Sequence, residues 1–431
     1  MLIVHISYTP LAGSPIRIVN AINKYTTLNA RLINLNPSIY GNRIFQEDLI
    51  WEKDKGEALE LISKADIIHF HHWMELNNNK FHIDFKKITK KNCKLIRMFH
   101  SNINIVSYNG KYTNIIINDP FTKLVIAQHQ ERTYFDLINI PKIVPNLIPI
   151  NDEDYKPLNM NNEKPIIFYS YTFNNSGFSS RWDTKGYSEV SNLLNEFKNI
   201  ANIQKITNAP FFECLKLKRQ SDIVIDDIMT GNYHLTSLEA LSQGKPVLSY
   251  LDNRTQYILR ELTGAEELPF VNVKVEEAKY VLKELCENKK LRDEIGAYSR
   301  RWMEKYYNDK DLVKIYVQVY EDLLNGKNIS REKPSDERKW LSVDIEDLIW
   351  KARKDNYNII SDYQNLEQKL EEQKLKSNWF TLFGISNNKE YIRIILFGIK
   401  LTLKINKSII SKISWWIPIK KLRENFRNKF N

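Results

Sequence analysis

Apolar positions along this chain fall into two rhythms, short continuous runs and helical spacings, which alternate through roughly its first three quarters. Met1 to Tyr8, Arg31 to Leu35, Asp66 to Phe70, Lys94 to Phe99 and Val125 to Gln128 read as strands, the first of them almost wholly apolar, as a strand buried on both faces must be. Ile16, Ile18, Val19 and Ile22 mark an amphipathic helix after a loop, Pro10 to Pro15, that contains Gly13. Glu57 to Ser63 marks another helix. The polar, proline-containing run Asn151 to Pro165 reads as a linker. Beyond it the rhythms resume: strands at Pro165 to Ser170 and Ile223 to Ile225, helices at Tyr187 to Phe197 and Pro210 to Gln220, and closing helices between Leu291 and Leu324. Such alternation predicts two α/β domains, each built on a parallel sheet. The expected division is 1–152 and 153–326, then a polar linker and helical extension over 327–388 and a basic amphipathic module over 389–431.

The most informative stretch is Ser221 to Tyr250. A strand leads into the carboxylate pair Asp226 and Asp227, then into a loop with Gly231 and Asn232. A helix carrying Leu235, Leu238 and Leu241 follows, closed by Gly244 and Pro246. Free N–H groups at the helix start, near Leu235 and Thr236, form an anion site. Glu239, one turn further in, is positioned to accept hydrogen bonds from sugar hydroxyls, a role in which its loss should hardly change stability. Arg181 and Lys185 precede the helix at Tyr187. Two fixed cations there either remain solvated or offset the charges of a diphosphate. His69 and His71 share a strand face, and His72 follows them. No Cys, Asp or Glu is placed to complete a metal set with them, so no metal is expected.

Tyr233, Glu239-Ala240 and Gly244-Lys245-Pro246-Val247 together resemble the donor-binding signature of the retaining GT-B glycosyltransferases, the family of glycogen synthase and bacterial mannosyltransferases. That signature carries two glutamates separated by seven residues. Here Gly231 holds the first place and His234 that of the inner glycine, a pattern similar to a bacterial surface-polysaccharide subgroup. The resemblance implies an α/β GT-B fold of two Rossmann-like domains facing a cleft. It further implies transfer of a sugar from a nucleotide-sugar donor to a hydroxyl of a cell-surface glycan, such as lipopolysaccharide or capsule. The acceptor would be a glycan or lipid-linked, with configuration retained and no metal or cofactor required. Its catalytic residues would be His100, Arg181, Lys185 and Glu239. Donor binding would fall to Gly13, Arg181, Lys185, Gly231, Tyr233, His234, Leu235, Thr236 and Glu239. His100 would bond a sugar hydroxyl or, alternatively, serve as a buried structural group. A catalytically silent GT-B scaffold and a GT-B nucleotide-sugar epimerase are the competing readings.

Composition changes this picture in one place. The chain has 431 residues and a net charge of +11, and residues 389–431 hold eleven Lys or Arg against Glu390 and Glu424. The globular part is therefore close to neutral, which argues against nucleic acid as a partner. The basic end, with Trp415, Trp416 and several isoleucines, suits an anionic membrane surface, the alternative being a solvated tail. Within it, Ile399, Leu401 and Leu403 alternate with Lys400, Thr402 and Lys404, a strand period. No apolar run reaches the roughly 18 residues that span a bilayer. The start of the chain reads as a strand, not a signal peptide, so the expected location is cytoplasmic, peripheral on the inner face of the cell membrane. Cys93, Cys214 and Cys286 are too scattered for a disulfide framework.

Overall fold

The computed structural model describes residues 1–37, 45–77, 79–101, 113–128, 141–171 and 185–330, and in the C-terminal part 366, 369–370, 383–387, 391–396, 399–404, 414 and 420–430. Arg181, the helical reading of 345–376 (apart from residues 366 and 369–370), and Trp415 and Trp416 lie outside the described residues.

Seven parallel strands form the first sheet: β1 (Leu2–Ser7), β2 (Asn29–Asn34), β3 (Leu49–Ile50), β4 (Ile67–His71), β5 (Lys94–Phe99), β6 (Thr122–Ile126) and β7 (Lys142–Val144). Their spatial order is β3-β2-β1-β4-β5-β6-β7. The order reverses between β1 and β4, and crevices outside the carboxyl ends at such a reversal are where α/β proteins bind ligands. The helix Ser14–Tyr25 returns from β1 with Pro15 in its first turn and buries Ile16, Ile18, Val19 and Ile22 against the sheet. It is entered through three successive left-handed residues, Leu11, Ala12 and Gly13. Two of these carry side chains, and strain of that kind concentrates near functional sites.

A second parallel sheet contains β8 (Ile166–Ser170), β9 (Asn202–Ile206), β10 (Ile223–Ile225), β11 (Val247–Ser249) and β12 (Val271–Asn272), in the order β12-β11-β10-β8-β9. Here the reversal falls between β8 and β10, whose carboxyl ends lead to Ser170 and Asp226. The helix Asp309–Leu324 crosses back to the first sheet. Its Tyr316 hydroxyl donates to the Pro145 carbonyl at 2.6 Å, and Tyr320 reaches the histidines of β1 and β4.

Residues 353–431 form a separate compact unit. Within it β13 (Phe383–Asn387), β14 (Tyr391–Leu396) and β15 (Ile399–Lys404) make an antiparallel sheet, with Leu401 opposite Ile394 and Leu403 opposite Ile392. The strand period at 399–404 is thus realised as a strand. Lys420–Phe430 is a helix that the sequence reading did not anticipate. Among the described residues no helix is long and apolar enough to cross a membrane.

Candidate active site

Asp226, just past the end of β10, is the hub of the second domain's cluster. Its carboxylate is fully buried and accepts from the backbone N–H of His234 at 2.7 Å, from Ser237 Oγ at 2.6 Å and from Lys185 Nζ at 2.7 Å. One side chain therefore fixes the start of the helix Leu235–Ser242 and holds the lysine beside it. Burial alone would raise the Asp226 carboxyl. The charges of Lys185 and His234, with their hydrogen bonds, outweigh that and hold it well below the usual carboxylate range. His234, Leu235 and Thr236 are half-exposed, and Thr236 Oγ1 lies 3.4 Å from Ser170 Oγ at the end of β8. A cation, a helix N-terminus and two hydroxyls thus meet at the reversal point of the sheet, an arrangement suited to an anion. Asp227 has a different task. It accepts from the N–H groups of Met229 and Thr230, both at 2.9 Å, and so shapes the loop that carries Gly231.

Gly231 sits at φ 82°, and a Cβ built there would lie 2.7 Å from Asp252 Oδ2. The place that the signature gives to a glutamate is therefore closed to any side chain unless Asp252 moves. Tyr233 is buried in the seam between the two sheets' domains. Its hydroxyl donates to the Ala127 carbonyl, and its own carbonyl accepts from Gln128 Nε2 at 2.6 Å.

Glu239 also faces that seam. One oxygen accepts from Arg17 Nη2 and the other from Lys218 Nζ, each at 2.5 Å, with all three side chains at most 6% exposed. Arg17 also donates to the Tyr155 hydroxyl. Burial would raise the Glu239 carboxyl, but Lys218 and Arg17 outweigh it and hold it below the ordinary value. The expectation that removing Glu239 leaves stability unchanged is thus corrected by its surroundings. Gly13 and Arg17 line a cavity of about 150 Å³ with Phe45, Tyr155 and Phe211; Lys185, His234 and Thr236 are not part of its wall.

In the first domain His100 stands at the end of β5, where its Nε2 meets His71 Nδ1 at 2.8 Å. Burial, with lesser contributions from neighbouring histidines, keeps His69, His71 and His100 well below the ordinary imidazole range, and burial takes His5 down to about 3 and His72 to about 4. These rings are neutral at pH 7.

No family model matches the chain. The Plasmodium falciparum protein PFC0760c is 27% identical over 205 residues, which are 45% of this chain. The chain spans 6% of that protein's length. Among solved structures, an α-glucosyltransferase in complex with UDP and a 13-mer DNA containing an HMU base superposes with a TM-score of 0.51 at 9% identity, covering 74% of this chain and 99% of its own. The chain has the GT-B fold. A glycosyltransferase from Rickettsia africae has a TM-score of 0.48 at 15% identity, covering 76% of this chain and 99% of its own. The Anabaena protein HepE, in complex with UDP and glucose, has 0.48 at 12%, covering 75% and 100%.

On this GT-B frame Lys185, His234, Leu235 and Thr236 come together, whereas Tyr233 and Glu239 lie in the interdomain seam, Gly231 packs against Asp252 and Thr255 within the second domain, and His100 and Gly13 belong to the other sheet. Sequence reasoning missed Arg17, Lys218 and Asp226 as partners. Arg17 lies 222 positions from Glu239, and nothing local distinguishes it from a solvated helix arginine.

Proposed function

We propose that this protein transfers a sugar from a nucleotide-sugar donor to a hydroxyl of a cell-surface glycan, free or lipid-linked. The observation that carries this reading is the Lys185–Asp226–helix cluster at the reversal point of the second sheet. It offers a fixed cation and oriented N–H groups to a diphosphate. His100 stands at the end of a first-domain strand, and Arg181 would add a second cation. Anomeric retention, with the leaving diphosphate taking the acceptor proton, needs no ion at the diphosphate. UDP-sugars are the donors to try first, because the α-glucosyltransferase of the same fold was solved with UDP. Calorimetry should show donor binding, and donor plus glycan should yield an elongated glycan by mass. Donor conversion without acceptor would indicate an epimerase instead.

The silent-scaffold reading has one observation in its favour: both oxygens of Glu239 are already engaged. Binding of donor without turnover in the presence of cell-wall glycans would select it.

The basic C-terminal module would bring the enzyme to the cytoplasmic leaflet. Each Lys or Arg near an anionic surface contributes on the order of 1 kcal/mol. A protein ending at Ser377 should bind UDP-sugar as before and lose co-sedimentation with anionic vesicles, and high salt should release the intact protein. Equal co-sedimentation of the two proteins would refute the anchor.

A further inference from the structure

We propose that His5, His69 and His71 form a binding site for a divalent transition-metal ion, zinc being the ion that a three-imidazole set suits best. The parallel register of β1 and β4 places His5 directly beside His69, and His71, two residues on, shares the same sheet face. The partner missing from the sequence pattern is thus supplied by a strand 64 positions upstream of His69.

One ring nitrogen from each residue lies within 4.8 Å of the other two. His5 Nδ1 and His71 Nε2 are 3.0 Å apart. A tetrahedral ion with bonds of about 2.0–2.1 Å sets its ligand nitrogens about 3.3 Å apart, so this pair already has nearly the required spacing. His69, whose ring stacks on the other two with centroids 4.6 and 4.7 Å away, completes the set by turning its ring towards the ion.

The remaining ring nitrogens are held as those of metal ligands usually are. His69 Nδ1 lies 2.9 Å and His5 Nε2 3.4 Å from the Tyr320 hydroxyl, and His71 Nδ1 lies 2.8 Å from His100 Nε2. With the N–H groups at these three outer positions, the Tyr320 oxygen accepts twice and His100 Nε2 once. Lone pairs are then left on His5 Nδ1 and His71 Nε2, which face each other, and on His69 Nε2. His69 Nε2 is buried and has no hydrogen-bond partner among the described residues. A hydrogen bond between His5 and His71 alone would leave it so, whereas an ion uses all three lone pairs. The set contains no carboxylate, so a fourth position would be filled by water or hydroxide. Through Tyr320 the ion would tie the helix Asp309–Leu324 to the first sheet. It would lie apart from Lys185 and the second-sheet anion site, so the inference does not depend on the donor reading.

The test uses the full-length protein made without a polyhistidine tag. Elemental analysis after exposure to zinc and dialysis should find about one zinc per chain. Cobalt(II) in its place should give the visible absorption bands of a four-coordinate site with three imidazole ligands. Zinc should raise the melting midpoint of the metal-stripped protein. His5→Ala should lose the metal, as should His69→Gln, which can still hydrogen-bond Tyr320 but offers no imidazole. Replacement of the exposed His82 by alanine should retain it. Absence of stoichiometric zinc, cobalt bands and a melting shift in the unaltered protein would overturn the proposal, whatever the variants do. Undiminished metal in a folded His69→Gln protein would overturn it by placing the ion elsewhere.

Discussion

Glu239→Ala should destabilise the protein by about 3–5 kcal/mol, a large part of the stability of an ordinary domain. The substitution removes the carboxylate that pairs with both Arg17 and Lys218, and among the described residues it leaves Arg17 only its bond to the Tyr155 hydroxyl. Neither cation can relax to solvent easily, since their side chains are 6% and 1% exposed. Because the cluster joins the two domains, the loss should also weaken their docking. Denaturant unfolding of the variant checks the first point. Replacing all three residues by apolar ones of similar volume should restore much of the lost stability, since a buried ion cluster is worth little against good packing. The pH dependence follows from the same geometry. The folded-state pKa of Glu239 lies below its unfolded value of 4.5, so its contribution is fully present above that value. It is lost as the pH falls through the folded value, and the variant should lack this part of the acid sensitivity. An unchanged denaturation midpoint would mean that the cluster does not hold the seam. Loss of donor binding in this variant is therefore not by itself evidence that Glu239 touches a sugar; binding must be compared in the apolar triple variant as well.

Much of the fold was legible because burial on both faces forces continuous apolar runs. Ile223–Ile225 is legible to the residue for this reason, whereas the helix at Tyr187 buries only Val190, Leu193 and Leu194, on one face. The edge strand β9 was missed because its residues are exposed or half-buried and its sequence, N-I-Q-K-I, has no continuous run. The site was legible only where chemistry is local in sequence. Lys185, the helix start and the glycine at 231 all announce themselves within a few residues. Asp226 was noticed as half of a carboxylate pair, but its part in holding Lys185 depends on a contact across 41 positions. The pairing of His5 with His69 is likewise a property of sheet register, which one sequence does not reveal. Gly231 shows the converse case. The sequence displays a departure from the signature, and the structure gives its cause in the Asp252 carboxylate beside it.

Removing the cation at 185 should lower turnover by about 10²–10³-fold, the effect typical of deleting one fixed group that stabilises transition-state charge. Donor affinity should fall less, because the diphosphate acquires its full leaving-group charge only as the sugar bond breaks. The choice of variant matters. Lys185 has a left-handed backbone, φ 53°, that strains most side chains, so Lys185→Ala combines loss of charge with residual strain. Lys185→Gly removes the charge and suits that conformation, so the stability it loses comes from the buried Asp226 carboxylate left without its cation and not from backbone strain. Asp226 would keep its bonds from the His234 N–H and Ser237, so the helix start should remain in place. Lys185→Arg should retain part of the activity, since a planar guanidinium can meet the phosphate but not from the same point. Steady-state kinetics with a UDP-sugar, alongside calorimetric donor binding and a melting curve, distinguish the outcomes. A fall in turnover of the expected size in protein that the melting curve shows to be folded at the assay temperature would assign Lys185 to the leaving group. Equal loss in binding and turnover would make it a ground-state contact only, and wild-type turnover in a folded Lys185→Gly protein would remove it from the chemistry.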